Sequence, residues 1–298
     1  MIDFVKQQQA LIALTQRLLT DGTVSAVVGL KENEEAGAPS PRFVRNPEDA
    51  GTLVWNENCA TNLAFYLLDL VGGEKIAIAA KPCDARNIIN LLAENQLKRE
   101  DVFIIGMECA GMKKSGELAP GCDACPASKP NIYDAVIGSD GSESFAGEAM
   151  PGGADSVTEW AKSSTTADRQ ERFLKEIDKC ILCFSCRQAC QGCYCVTCFM
   201  DRKANPWDQI DADRATKIAF HLTRSMHLAG RCTDCGACEK VCASGVNLKY
   251  LSRGLSEFVE ETFGFRAGED PEAQPVMNNY DPADEEIGFL GGDPVVGM

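Results

Sequence analysis

The sequence predicts two domains of different class: an α/β domain with a largely parallel sheet over residues 1–150, and a smaller, cysteine-rich α+β domain over residues 179–265. The first prediction rests on continuous apolar segments that alternate with helical patterns, as in sheets covered by helices. The second rests on a cysteine spacing that occurs twice in the chain. A chain of 298 residues is long enough for two such domains.

The elements of the first domain follow from hydrophobic periodicity. Residues 4–19 place apolar side chains on one face of a helix, and residues 24–30 form a continuous apolar segment that is typical of a buried strand. Asn58 is placed to cap a second helix over residues 59–70. The remaining elements are predicted as strands at 75–80, 102–107 and 135–138 and a helix at 84–94.

The second half begins with a linker helix in residues 151–178, which leads into the cysteine-rich domain. Helical patterns also occur at 211–228, which contains both histidines, and at 248–263. Residues 266–298 are acidic and contain several Gly and Pro, so they predict an extended tail that is either disordered or laid across a partner subunit. The net charge of −15 argues against nucleic acid or an anionic membrane as a partner.

The cysteine spacing is the strongest functional signal in the chain. The pattern C-x2-C-x2-C-x3-C starts at Cys180 and again at Cys232. Such cysteines are typical ligands of [4Fe-4S] clusters, and in two-cluster ferredoxins the fourth cysteine binds the other cluster. The spacing therefore predicts a dicluster ferredoxin-like α+β domain with exchanged ligands. The predicted ligands are Cys180, Cys183, Cys186 and Cys242 for one cluster, and Cys190, Cys232, Cys235 and Cys238 for the other.

Two other uses of the cysteines were weighed. Four-cysteine zinc sites normally set two pairs apart, so zinc is the weaker alternative. A disulfide framework suits short secreted chains, and this sequence shows neither the apolar core of a signal peptide nor a segment that could span a bilayer. We therefore expect a cytoplasmic protein whose thiols serve metal or redox chemistry, with the histidines in surface or packing roles.

Four more cysteines lie in the first domain. Cys83 and Cys109 come directly after predicted strands, and Cys122 and Cys125 form a C-x2-C pair. Because neighbouring parallel strands end at the same edge of a sheet, these four thiols could converge on a third cluster. The alternative is that Cys83 and Cys109 are ordinary buried side chains.

The segments KPCDAR, GMECAGM and CDACPASKPNIYDAVIGSD, with GTVSAVVGL near the start, resemble the β subunits of deazaflavin-coenzyme-reducing hydrogenases and of their formate dehydrogenase counterparts. The resemblance covers about the first half of the chain. It implies a four-iron cluster beside FAD, with the flavin exchanging electrons with a soluble deazaflavin. Carried over to this sequence, the ligands of the third cluster are Cys83, Cys109, Cys122 and Cys125.

The chain departs from this family after the C-x2-C pair. Family members continue with the second half of a flavin domain, whereas here a Gly/Ser/Ala-rich stretch at 139–153 leads through the linker helix to Cys180. The sequence also contains no G-x-G-x-x-G fingerprint or P-loop. We therefore expect little or no FAD in the chain itself.

Three clusters leave four cysteines over. Cys59 stands at the start of a predicted helix, where the helix dipole favours thiolate. Cys193, Cys195 and Cys198 follow the first motif in the sequence CYCVTC. One hypothesis is a fourth cluster that is bound by all four of these cysteines, so that Cys59 connects the first domain to the second. The other is that some of these four thiols bind nothing.

These observations predict an iron–sulfur electron-transfer subunit of a multisubunit oxidoreductase from an anaerobe, with three or four [4Fe-4S] clusters. No Ser/His/Asp set or open zinc site indicates substrate chemistry. The expected partners are a hydrogenase, formate dehydrogenase or heterodisulfide-reductase-like module, or a flavoprotein. One alternative is a complete FAD-containing subunit that reacts with a deazaflavin or nicotinamide coenzyme. The other is a zinc-stabilised scaffold without redox function.

Overall fold

The structure, a computed structural model, has a six-stranded sheet in its first half and a group of helices in its second. Four neighbouring parallel strands form the middle of the sheet, and one antiparallel strand lies at each edge. The predicted α/β class with a largely parallel sheet is therefore confirmed for this half. The structure describes residues 2–68, 73–122, 125, 128–144, 156–201 and 212–276.

The described strands are, in chain order, β1 (Ala26–Lys31), β2 (Ser40–Val44), β3 (Ile76–Ala80), β4 (Val102–Met107), β5 (Lys113–Lys114), β6 (Glu117–Leu118), β7 (Ala135–Ile137) and β8 (Glu143–Ser144). The sheet order is β2-β1-β3-β4-β7-β8, while β5 and β6 form a separate hairpin. The parallel strands β1, β3, β4 and β7 are the four that hydrophobic runs predict. They are buried along almost their whole length, as is usual for parallel strands.

Two helices pack on this sheet, α1 (Phe4–Thr20) and α2 (Pro82–Ala93). The start of α2 is fixed by its sequence, because a proline at the first position suits a helix start. The Asp84 carboxylate in the first turn accepts a hydrogen bond from the backbone N–H of Lys81 at 2.8 Å. Cys83, which lies between these two residues, is therefore held at the end of β3.

The predicted helix over residues 59–70 is wrong. Only a 3-10 turn forms, at Ala64–Leu67, and residues 69 and 70 lie outside the described part of the chain. Two hydrogen bonds to Asn56 turn the chain just before this point. The Asp84 carboxylate then accepts a hydrogen bond from the backbone N–H of Leu63 at 2.6 Å. Such side-chain bonds to the backbone compete with helical hydrogen bonds, so an irregular loop forms instead.

The described helices of the second half are α3 (Ser156–Ser163), α4 (Thr166–Lys179), α5 (Ser185–Gln188), α6 (Arg214–His227), α7 (Ala237–Lys240) and α8 (Leu248–Phe263). The predicted linker helix is split, because the Thr165 hydroxyl caps α4 by accepting a hydrogen bond from the backbone N–H of Asp168 at 3.2 Å. No strand occurs among the described residues after 144, so the ferredoxin-like α+β arrangement stays a prediction. No described helix is both long and apolar enough to cross a membrane.

The two halves are joined by buried polar contacts around α2. Glu94, which follows α2 and is 7% exposed, accepts a hydrogen bond from the Tyr194 hydroxyl at 2.8 Å. The same carboxylate lies 2.6 Å from Nε of Arg231. On α2 itself, Asn87 accepts a hydrogen bond from the Thr233 hydroxyl. These contacts attach the second cysteine motif to the helix that carries Cys83.

The first residues of the predicted acidic tail also pack on the first half. Asn131 donates a hydrogen bond to the carbonyl of Gly268 at 2.8 Å. The backbone of Gly268 also lies against Arg86, so closely that a Cβ atom at Gly268 would lie 2.5 Å from the Arg86 carbonyl oxygen. The rest of that tail, residues 277–298, lies outside the described part of the chain.

Candidate metal centres

The first group of cysteines lies where β3 and β4 end. Cys83 is in the first turn of α2, directly after β3, and Cys109 comes two residues after β4. Together with Cys122 and Cys125 they line one cavity of about 220 Å³. The ends of neighbouring parallel strands thus bring together thiols from distant parts of the sequence. We call these four residues the Cys109 group.

The four cysteines of the Cys109 group are partly buried. Burial raises the pKa of Cys83 to about 12 and that of Cys109 to about 11. The backbone N–H of Gly111 donates to Sγ of Cys109 at 3.4 Å. The ammonium group of Lys81 also lines the cavity, but it is paired with the Asp84 carboxylate at 2.9 Å. Protein groups alone therefore keep Cys83 and Cys109 protonated, whereas a coordinating metal would deprotonate them.

The two C-x2-C-x2-C loops of the second half have the same backbone shape. Leu182 and Phe184 adopt left-handed φ angles of 52° and 60° in the first loop. The equivalent positions of the second loop, Asp234 and Gly236, have φ angles of 60° and 68°. Each loop continues into a short helix, α5 or α7. Left-handed residues other than glycine are strained, and such strain is typical of loops that hold a ligand.

The first loop forms a group of thiols with the last cysteine of the second motif. Burial raises the pKa of Cys186, and the neighbouring thiols of Cys180, Cys242 and Cys183 act in the same direction. Backbone N–H groups donate to Sγ of Cys180 and of Cys242, each at 3.3 Å. We call these four residues the Cys186 group.

The second loop forms the corresponding group with the last cysteine of the first motif. Burial raises the pKa of Cys232 to about 11, and the thiols of Cys235 and Cys190 contribute to the increase. Burial and the thiols of Cys190, Cys235 and Cys232 likewise raise the pKa of Cys238. We call these four residues the Cys238 group. The structure therefore brings the cysteines together in the exchanged pattern, while their role as cluster ligands stays a prediction.

The Cys109 group and the Cys238 group adjoin. Cys235 lines the same cavity as the Cys109 group. The two loops touch through their backbones, because a Cβ atom at Gly236 would lie 2.5 Å from the carbonyl oxygen of Pro120. Lys240, only 8% exposed, lies at this junction and donates to the Cys235 carbonyl at 3.3 Å. Burial opposes its charge, but thiols from both groups raise the pKa of Lys240.

The Cys238 group and the Cys186 group adjoin at Arg224 of α6. This arginine is 5% exposed and donates to the Cys186 carbonyl at 3.3 Å, while its Nε atom has no hydrogen-bond partner in the described structure. Burial opposes its charge, but the thiols of Cys190, Cys238 and Cys186 raise the pKa of Arg224. Sequence analysis identified neither cation. Lys240 is marked only by its place inside the second motif, and nothing in the sequence marks Arg224.

The structure does not bring Cys59 together with the other three remaining cysteines. Cys59 lies in the hydrophobic core of the first half, fully buried, and its Sγ accepts a hydrogen bond from the backbone N–H of Asn56 at 3.3 Å. A fourth cluster that includes Cys59 stays a prediction, and no other thiol contributes to the raised pKa of Cys59. Cys193, Cys195 and Cys198 line a cavity of about 560 Å³ that Arg224 also lines, and the Cys193 thiol lies within hydrogen-bond reach of Cys190.

The residues of the three groups fit iron–sulfur clusters. Each group offers four thiols, and the groups are accompanied by N–H···S contacts and by two buried cations, Lys240 and Arg224, that lack a carboxylate partner in the described chain. Buried cations of this kind require a nearby negative charge, which thiolate-bound clusters supply. All sixteen cysteines are free of disulfides. Among the described residues, no three Cys, His, Asp or Glu side chains lie close enough to share one metal ion.

Two relatives are similar to the chain along most of its length. The F420-dependent formate dehydrogenase subunit beta of Methanocaldococcus jannaschii is 23% identical, with 90% of this chain and 94% of the relative aligned. The F420-dependent formate dehydrogenase 1 subunit beta of Methanococcus maripaludis is 24% identical, with 92% of this chain and 94% of the relative aligned. No protein-family model matches the sequence.

These alignments cover both halves of the chain rather than the first half alone. They extend over 360 and 365 positions, which is more than the 298 residues of this chain, so both relatives contain inserted sequence that the chain lacks. The resemblance that the motifs around Cys83, Cys109 and Cys122 indicate is confirmed. The chain is therefore similar along most of its length to the β subunits of F420-dependent formate dehydrogenases.

Proposed function

We propose that the chain is the iron–sulfur electron-transfer subunit of a cytoplasmic redox complex, with one [4Fe-4S] cluster in each of the three cysteine groups. The observation that carries the proposal is the order of the groups. The Cys238 group shares a cavity wall with the Cys109 group on one side and shares Arg224 with the Cys186 group on the other. Clusters bound in this order would supply one-electron storage and exchange along a single row.

The chain's own residues support such a row at both junctions. The backbone contact at Gly236 leaves no space for a side chain at this position between the Cys109 and Cys238 loops. Helix α5 carries Cys186 of the Cys186 group and ends two residues before Cys190 of the Cys238 group. One short segment therefore connects these two neighbouring groups. The structure therefore holds neighbouring groups at fixed separations, which suits transfer without conformational change.

The relatives suggest the kind of complex. Both are named as β subunits of F420-dependent formate dehydrogenases, so we propose that this chain acts beside a catalytic subunit of the formate dehydrogenase type. Electron transfer needs a donor and an acceptor at the ends of the row. The free state of all sixteen cysteines suits the reducing cytoplasm of an anaerobe.

We further propose that the chain holds little or no FAD. The relatives contain inserted sequence that this chain lacks, which supports the absence of part of a flavin domain. The competing function is a complete flavin subunit that reacts with a deazaflavin or nicotinamide coenzyme itself. Acid extraction followed by flavin fluorescence distinguishes the two, because the competing function requires about one flavin per chain after gel filtration.

Metal analysis of the anaerobically purified chain tests the proposed function. We expect about twelve iron atoms and about twelve acid-labile sulfides per chain, four of each for every cubane cluster, and a brown colour. About sixteen iron atoms would indicate that Cys193, Cys195 and Cys198 also hold a cluster. A colourless protein with zinc and no iron would show that the chain is a zinc-stabilised scaffold and would overturn the proposal.

A further inference from the structure

We propose that Lys240 and Arg224 make the Cys238 group the most easily reduced of the three, so that electrons collect in the middle of the row. The inference rests on the proposed function, since it requires a cluster in each group. It goes beyond that function because it assigns an energetic order to the three sites and names the two residues that set it.

The positions of the two cations single out the middle group. Lys240 lies against the Cys238 group through its hydrogen bond to the Cys235 carbonyl, and it also lines the cavity of the Cys109 group. Arg224 lies between the Cys238 group and the Cys186 group. Each outer group therefore adjoins one of these cations, whereas the Cys238 group adjoins both.

Neither cation is neutralised by a nearby carboxylate. Lys240 is 8% exposed and Arg224 is 5% exposed, and neither forms an ion pair with Asp or Glu in the described part of the chain. In the interior, a charge acts over several ångströms with little screening. Their electrostatic effect on neighbouring groups is therefore much larger than that of a surface lysine.

The other charges near the outer groups do not change this order. Lys81 lies beside the Cys109 group, but Asp84 pairs with it at 2.9 Å, so the pair carries no net charge. Lys217 acts on Cys180 of the Cys186 group, but its side chain is only half-buried and water screens it. Near the Cys238 group, Asp234 is paired with Arg253 and is likewise neutralised.

The effect on reduction follows from charge balance. Reduction at any group adds one electron and hence one negative charge, and no bond forms or breaks. A fixed cation stabilises the reduced state and raises the reduction potential. The group with two such neighbours is therefore the most oxidising.

The test is a reductive titration of the anaerobic holoprotein, with titanium(III) as reductant and electron paramagnetic resonance to follow each cluster. The variants are Lys240→Met and Arg224→Met, which remove each charge and keep an apolar chain.

We expect each variant to lower the reduction potentials of two clusters and to leave that of the third unchanged. One cluster should move in both variants, and it should be the highest-potential cluster of the wild type. The equilibrium constant for its reduction should fall about tenfold in each variant, which corresponds to a decrease of about 59 mV in its reduction potential.

Charge-conserving variants serve as matched controls. Lys240→Arg and Arg224→Lys should keep the wild-type order of potentials, and Lys175→Met, which removes an exposed lysine, should move no cluster. Iron is counted first in every variant, and Gln replaces Met at either position if the Met variant loses iron. A highest-potential cluster that moves in only one variant, or in neither, would overturn the inference while leaving the proposed function intact. A chain without iron would overturn both.

Discussion

The two halves of the molecule build their cysteine groups in different ways. In the first half, the Cys109 group is assembled from the ends of β3 and β4 and from a separate C-x2-C segment, so the pairing of the two strands brings Cys83 and Cys109 together. In the second half, six of the eight cysteines of the Cys186 and Cys238 groups lie in two short loops with the same left-handed positions. The loops then exchange their last cysteines, Cys190 and Cys242.

This difference has a consequence for stability and for the relay. The Cys109 group is as stable as the sheet that carries it. In the second half, each loop receives its fourth cysteine from the other motif, so the integrity of each group requires both loops to be folded. The backbone contact between Pro120 and Gly236 connects the two kinds of site.

The largest effect is expected from Cys190→Ala. Because Cys190 lies with the second loop, the variant should lose the cluster of the Cys238 group and about four of twelve iron atoms. The electron paramagnetic resonance signal that is lost in Cys190→Ala should be the same signal that is lost in Cys235→Ala. Cys180→Ala should remove a different signal. Cys59→Ser is the matched control, since Cys59 lies in the core and its replacement should leave the iron count unchanged. Loss of the same signal in the Cys190 and Cys180 variants would contradict the exchanged pattern.

The contact between the two halves is tested by Gly236→Ala. Gly236 has a φ of 68°, and an added Cβ would lie 2.5 Å from the Pro120 carbonyl oxygen. Gly245 is the matched control, because its φ is 62° but nothing lies within 4 Å of an added Cβ. Both variants carry the backbone strain of about 1–2 kcal/mol, and only Gly236→Ala adds a clash of about 1–3 kcal/mol. Equal losses in the free energy of unfolding, measured by urea denaturation, would show that the two loops do not touch.

A smaller effect is expected at the polar contact beside α2. Glu94→Gln removes a buried charge that accepts a hydrogen bond from Tyr194 and faces Arg231. We expect a loss of about 1–3 kcal/mol in the free energy of unfolding, because the half-buried Arg231 loses its charged partner and Tyr194 its carboxylate acceptor. The double variant with Tyr194→Phe should lose less than the sum of the single variants. Glu100→Gln at an exposed position serves as control and should change stability by less than about 0.5 kcal/mol. Strict additivity of the two changes would argue against the contact.

The smallest effect concerns pH. Burial, together with the Arg224 charge, lowers the pKa of His221 from an ordinary 6.5 to about 4. Between these two values the unfolded chain binds more protons than the folded chain, so stability falls as the pH drops below about 6.5. From pH 7 to 5.5 the wild type should lose about 1 kcal/mol more than His221→Leu. Parallel losses in both proteins, measured by urea denaturation, would mean that His221 is accessible to solvent in the folded state.

The comparison of the two halves also explains what could be predicted from the sequence. The parallel strands could be predicted because they are continuous apolar segments. The exchanged pattern could be predicted because the spacing of Cys180–Cys190 and its repeat is also a local feature of the sequence. The helix predicted over residues 59–70 failed because the Asp84 carboxylate, which is distant in sequence, captures a backbone N–H of that segment. The same error placed Cys59 at a helix start rather than in the core.

The two buried cations could not be predicted for a similar reason. Lys240 and Arg224 look like ordinary residues of helical segments, and only the packing of the two halves and of α6 places their charges beside the thiols. Their role follows from burial without a carboxylate partner, which is a property of the fold and not of any motif. The cysteine pattern predicts which residues gather, whereas tertiary contacts determine which charges surround them.

The most direct test of the account is an anomalous-diffraction map at the iron edge from anaerobic crystals. We predict three iron peaks in a row, one within each cysteine group, with the middle peak bounded by Cys190 and by the second loop. A peak that Cys180 and Cys190 share, or a Cys109 group without iron, would contradict it.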